Sequence, residues 1–260
     1  MATNDYFPFM DLPQLVQELI TDEIIQNLGF IDRGQFCLTS KYCNGLVQQS
    51  KTKKKVWISQ IYENTIEIGE SKILKFNNIT KVAKFLKMVE IVQIEISGSI
   101  VYSEIGLSSL LEDLWLKAMK SVKDLILYIG ARSTAIIKGI VRKLNNVNVY
   151  TVFFYEEDDE ILPLIASKTN EKNPLKELQI CVRPISKDDL KYLLKNCVFA
   201  NSASIRLHYS QKCVKDVIEG IGKFEISIDK FNHTVYTIKT GVKIIKTPGD
   251  DNTEIKVYAN

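Results

Sequence analysis

Histidine is the scarcest chemistry-bearing residue in this 260-residue chain, with only His208 and His233 present. No G-x-S-x-G elbow, glycine-rich phosphate loop or H-E-x-x-H motif occurs, so no catalytic residue, metal ligand or cofactor is assigned. His208 falls on a strand pattern, where it reads as a rim residue rather than a general base. Gly220 and Gly222 follow the helical segment marked by Val214, Val217 and Ile218, and read as a helix end rather than a phosphate cradle. The five cysteines (Cys37, Cys43, Cys181, Cys197, Cys213) are odd in number and lack Cys-x-x-Cys spacing. That argues against a disulfide framework or a zinc site, and for reduced thiols in the cytoplasm or nucleus. No run approaches the roughly 18 apolar residues of a membrane span. The opening MATNDYFPFMDLP lacks the basic start and apolar core of a signal peptide. A formal charge of +3 is too small to argue for nucleic acid as a partner, and the basic run Lys51 to Lys55, which could serve as a nuclear import signal or a phosphate-contacting patch, reads rather as a solvated linker or helix end.

What is present begins with Leu12 to Val47. Leu12, Leu15, Val16 and Leu19 recur at i, i+3, i+4 and i+7, and Ile20, Ile24 and Leu28 continue at i+4. This spacing predicts an amphipathic helix with an apolar stripe that needs a partner surface. Gly29 ends it, and Asp32 is expected to cap a second helix carrying Phe36, Leu38, Leu46 and Val47.

These residues resemble an F-box, the three-helix module that ties a protein to the Skp-family adaptor of cullin ubiquitin ligases. The matching parts are Leu12-Pro13, Ile24-Ile25-x-x-Leu28, Asp32-Arg33 and Leu38-Thr39-Ser40-Lys41. The run from Asn27 to Lys41 is similar to nematode F-box sequences. Between Leu12-Pro13 and Leu28 the spacing is about four residues longer than usual, roughly one helical turn. The resemblance implies an adaptor-docking module over residues 8–50, with Leu12, Pro13, Ile24, Leu28, Phe36 and Leu38 facing or supporting the adaptor.

From Trp57 the texture changes to short strands, WISQIY, TIEI and KILKF, with a turn at Gly69 to Ser71. A helix follows around Ile79 to Leu86, capped from Asn77 or Asn78. Apolar residues then recur at relative positions 0, 3, 5 and 7: Val89-Val92-Ile94-Ile96, Val122-Leu125-Leu127-Ile129, Val147-Tyr150-Val152-Phe154 and Leu175-Leu178-Ile180-Val182. A weaker member surrounds Ile205-Leu207-Tyr209, and Ile221-Phe224-Ile226-Ile228 closes the series. Helical patterns lie between them, at Ile105 to Met119, Ala135 to Leu144, Glu160 to Ala166, Lys187 to Cys197 and Lys212 to Ile221. The acidic run Glu156 to Glu160 sits where negative charge suits a helix N-terminus.

A strand-helix unit of about 27 residues is the signature of a leucine-rich-repeat-like solenoid, here in degenerate form. The region is also similar in length and order to the FTH domain that accompanies the F-box in nematode proteins. The expected fold is therefore α/β: three N-terminal helices, then residues 56–260 as alternating strands and helices with antiparallel strands at the ends. Right-handed crossovers put all connecting helices on one face, so positions 4 and 6 line the other. Ile126, Tyr128 and Phe153 form an apolar patch there, with Gln179, Arg206 and His208 beside it; alternatively the chain ends fold over this face. The segments VYTIK, VKIIK and EIKVY predict antiparallel strands closing the sheet.

The functional expectation is a non-catalytic substrate-recognition subunit that docks a Skp-family adaptor and cullin and holds a target protein on the open face. The alternative is a repeat-based binding or inhibitory protein whose N-terminal helices only cap the repeats. No membrane partner is expected.

Overall fold

The computed structural model describes residues 9–27, 30–49, 53–62, 64–69, 72–98, 103, 105–106, 110–130, 133–182 and 186–207, and strands at 224–228, 234–238, 242–246 and 253–257. Three helices lead the chain: α1 (Gln14–Asn27), α2 (Phe30–Thr39) and α3 (Lys41–Gln49). Ser40 separates the last two, its Oγ accepting from the Cys43 amide at 3.0 Å as an N-cap does. Asp32, expected at a cap, lies inside α2, because the helix begins at Phe30. Gly29 and Leu28 fall outside the described residues.

The rest is one twelve-stranded mixed sheet. A meander of β1 (Lys54–Tyr62), β2 (Thr65–Ile68) and β3 (Lys72–Lys75) opens it, with Gly69 at φ +64 in the turn, a conformation that suits a residue without Cβ. Then come α4 (Ile79–Met88), β4 (Val89–Ile96), α5 (Glu112–Ala118), β5 (Asp124–Ile129), α6 (Thr134–Lys143), β6 (Val149–Phe154) and α7 (Ile161–Lys168). The series continues with β7 (Leu175–Cys181), α8 (Lys187–Asn196) and β8 (Phe199–Leu207). Asn78 caps α4 by accepting from the Lys81 amide, as its sequence position predicts. Strands β1, β4, β5, β6, β7 and β8 lie side by side in parallel.

Alternation along these strands decides which side chains are buried. Ile94, Leu125, Leu127, Val152, Leu178 and Ile180 are at most 1% exposed, and pack on Val82, Leu86, Trp115, Ile137, Val141, Ile165 and Leu193 from the helices in one continuous core. Burying a side chain of this size stabilises by about 1.5–3 kcal/mol, so this layer is the main source of stability. Val92 departs from the pattern: Ile91 is buried in its place, next to a register shift between β1 and β4. Val182, expected inward, lies past the end of β7 and is 38% exposed. Of the helix expected over Ile105 to Met119, the stretch Glu112–Ala118 is α-helical, and Trp115 Nε1 donates to the Ile105 carbonyl at 3.1 Å; residues 107–109 fall outside the described residues.

The far end corrects the repeat reading. Strand β9 (Phe224–Ile228) does not follow β8 in parallel; it pairs antiparallel with β10 (Thr234–Ile238) at the outer edge. β10 pairs with β11 (Val242–Lys246), β11 with β12 (Thr253–Val257), and β12 lies antiparallel against β8. A fourth strand of this meander thus took the place that the apolar pattern assigned to Phe224, Ile226 and Ile228. The segment Lys212 to Ile221 lies outside the described residues.

Candidate interaction surfaces

Two apolar surfaces lack cover among the described residues. On the N-terminal helices, α1 and α2 both pack against α3. The side of α1 turned inward carries polar residues. Gln17 is 5% exposed and Thr21 1% exposed. Gln17 Nε2 donates to the Leu12 carbonyl at 2.6 Å, its Oε1 accepts from the Tyr42 hydroxyl, and Thr21 Oγ1 donates to the Gln17 carbonyl. That hydrogen-bonded seam fixes the rotation of α1 and turns its leucines outward: Leu15 is 68% and Leu19 61% exposed. On α2, Leu38 is 86% exposed. Of the expected docking residues, Pro13 is exposed, Leu12, Ile24 and Phe36 are half-buried, and Leu28 lies outside the described residues. Leu46 and Val47 are buried but belong to no part of the core under the sheet.

The second surface is the helix-free face of the sheet. Register places Glu95 beside Ile126, Ile126 beside Thr151, Thr151 beside Gln179, and Gln179 beside Arg206. One step along, Tyr128 lies beside Phe153 and Phe153 beside Cys181. The predicted residues Ile126, Tyr128, Phe153, Gln179 and Arg206 therefore do share one face; His208 lies outside the described residues. Ile126, Tyr128, Phe153 and Gln179 are half-buried, and Arg206 is exposed. The Tyr128 and Phe153 rings stack at 4.7 Å between centroids, and Tyr155 stacks on Tyr128 at 6.3 Å. Tyr155, 61% exposed, was missed because it stands one residue past the strand, although its two-residue step from Phe153 marks the same face.

Carboxylates border the aromatics. The Tyr128 hydroxyl donates to Glu95 at 3.2 Å, and burial together with that carboxylate pushes the phenol up to about 12. Burial also raises Glu95, with Glu67 adding repulsion; burial raises Asp124, with Glu177 adding to it. With its side-chain amide turned so that the oxygen meets Trp57, Gln93 can span two neighbours, accepting from Trp57 Nε1 and donating to Asp124, each at 3.3 Å. Arg206 reaches Glu177 at 3.3 Å, and Gln179 donates to the same carboxylate at 2.7 Å. Burial raises the Cys181 thiol, leaving it protonated and weakly nucleophilic at neutral pH. The chemistry on offer is therefore noncovalent: aromatic faces, desolvated carboxylates and one paired guanidinium.

Among the described residues no group of three His, Cys, Asp or Glu is placed to hold a metal ion, and no helix is long and apolar enough to cross a membrane. Comparison with protein-family models, with curated proteins and with solved structures found no match to this chain.

Proposed function

We propose that this protein is the substrate-recognition subunit of a Skp-cullin-F-box ubiquitin ligase. Its three N-terminal helices act as an F-box docked on a Skp-family adaptor, and its sheet domain, a degenerate leucine-rich-repeat-like solenoid, holds the target protein on the open face. It has no catalysis of its own, and it works in the cytoplasm or nucleus.

The observation that carries this reading is the outward exposure of Leu15 and Leu19 on α1 and of Leu38 on α2 of a three-helix unit. About 40 residues cannot bury a self-sufficient core, so exposed leucines on such a unit call for a partner. The rival capping role is disfavoured because the first edge of the sheet is β3, with β2 and β1 behind it. The meander already occupies the place a capping unit would take.

The test is copurification of the full chain with a Skp-family adaptor, comparing the native sequence with Leu15→Glu/Leu19→Glu. Loss of the adaptor with an unchanged thermal transition of the sheet domain supports docking through this stripe. Undiminished adaptor binding, or no adaptor binding by the native chain, overturns it.

A further inference from the structure

We propose that the helix-free face of the sheet takes an arginine-bearing basic segment of the target protein. The inference rests on the reading of that face as the surface that holds the target, and it names the chemistry of what is held. Charge on this face is segregated, although the whole chain carries a formal +3. Lys55, Lys123 and Lys176 stand at the strand starts, at the opposite end from the aromatic rings. The middle is acidic. Asp124 and Glu177 share one row, with Val149 between them. Glu95 stands in the next row beside Ile126, and Glu67 on β2 is near enough to repel it. Among the described residues Arg206 is the cation on these two rows, and it already meets Glu177. Four carboxylates therefore face one guanidinium around the rings, which complements a cationic partner. Acidic segments and nucleic acid are repelled by the same charges.

The rings select arginine over lysine, and they are an observation independent of the charges. Tyr128 stacks on Phe153 with planes 6° apart, and Tyr155, which is exposed, stacks on Tyr128 at 10°. A guanidinium lies flat on such a ring and donates within its own plane, whereas an ammonium offers only a point charge. The acceptor is already in place. Glu95 Oε2 takes the Tyr128 hydroxyl proton at 3.2 Å, and among the described residues its Oε1 has no hydrogen bond. A guanidinium on the Tyr128 ring thus has a carboxylate oxygen at the rim of that ring to donate to.

The acidic groups also gain from such a partner. Burial raises Glu95 and Asp124, and among the described residues neither is in an ion pair. An arriving cation offsets the lost hydration of both. Asp124 stands two residues before Ile126, the neighbour of Glu95, so the two acidic rows are about 7 Å apart along the strands. Alternate side chains of an extended segment have that same spacing. The segment that fits therefore carries arginines two positions apart, one on Tyr128 and Glu95 and the next toward Asp124.

The test uses the full chain and fluorescence anisotropy of labelled eight-residue peptides that alternate serine with arginine, lysine or uncharged citrulline. The expected result is saturable binding of the arginine peptide at a dissociation constant below about 1 mM, weakening as salt rises. The lysine peptide should bind about threefold or more weakly, and the citrulline peptide should not bind. Glu95→Gln and, separately, Tyr155→Leu should each weaken the arginine peptide by about threefold or more. Glutamine keeps an acceptor for Tyr128 and Tyr155 is exposed, so both variants fold; their thermal transitions check this. Glu171→Gln, an equal charge removal in the exposed turn before β7, should leave binding unchanged. Three results overturn the proposal: no binding by the native chain, as when another part of the chain or a second copy covers the face; equal binding of the lysine or citrulline peptide; or equal weakening by Glu171→Gln. None of these readouts involves the adaptor. A chain that copurifies with the adaptor but ignores the peptide loses this inference alone, and the reverse result sinks only the ligase reading.

Discussion

The ring of Tyr128 lies flat against that of Phe153, centroids 4.7 Å apart and planes 6° from parallel. They come from adjacent parallel strands and face each other directly in register. Stacked pairs of this kind contribute about 0.5–1.5 kcal/mol beyond the area they bury. A double-mutant cycle of Tyr128→Ala and Phe153→Ala, read by urea denaturation, should return a coupling of that size. Additive effects would show that the stack is geometric only.

Glu95 next to this pair carries a pH signature. Burial, with Glu67, raises its pKa in the folded protein above the ordinary 4.5. The folded state then holds the proton more tightly than the unfolded chain, so the stabilisation from this group is complete below the ordinary value. It is lost as pH rises through the raised value. Glu95→Gln, which keeps an acceptor for Tyr128, should raise the denaturation midpoint at about pH 7 and converge on the native protein near pH 4. A constant gain at all pH values would exclude an electrostatic origin.

Tyr150 is fully buried and its hydroxyl has no hydrogen-bond partner among the described residues; burial, with Cys197 nearby, pushes its pKa up. Removing an unsatisfied buried hydroxyl while keeping the ring should be neutral or stabilising. Tyr150→Phe is expected to gain up to about 1 kcal/mol, whereas Tyr150→Ala should lose about 3–5 kcal/mol by leaving a cavity. Thermal denaturation distinguishes the two.

Asp158 holds two elements at once. Its Oδ1 accepts from the amides of Glu160 and Ile161 at the start of α7, and its Oδ2 meets Lys138 of α6 at 3.0 Å. The Asp158 side chain is 10% exposed and that of Lys138 13%. Asp158→Ala should cost about 1–3 kcal/mol. Glu160 touches the same lysine but is 68% exposed, so Glu160→Ala should change stability by no more than about 0.5 kcal/mol. Chemical denaturation of the two variants side by side provides the comparison.

Val182 takes φ 80 just past β7, a left-handed conformation that crowds a β-branched side chain. Val182→Asn should relieve this and raise the thermal midpoint, by about 1 kcal/mol of stability. A drop in the midpoint would mean that the half-exposed valine contributes more by packing than it loses in strain.

The alternation of strands and helices, and the face on which Ile126, Tyr128, Phe153, Gln179 and Arg206 stand, were legible in the sequence. Both follow from local periods, two along a strand and 3.6 along a helix, which the chain carries wherever the element ends up. Pairing partners were out of reach: the apolar pattern of Phe224 to Ile228 is the same whether its neighbour is β8 or β10. Only the completed sheet put β12 against β8 and sent β9 to the edge. For α1 the sequence supplied the leucine stripe, and tertiary structure decided which way it points. Gln17, tied to Leu12 and Tyr42, turns inward, and Leu15 and Leu19 are left facing out because they lie on the opposite side of the same helix.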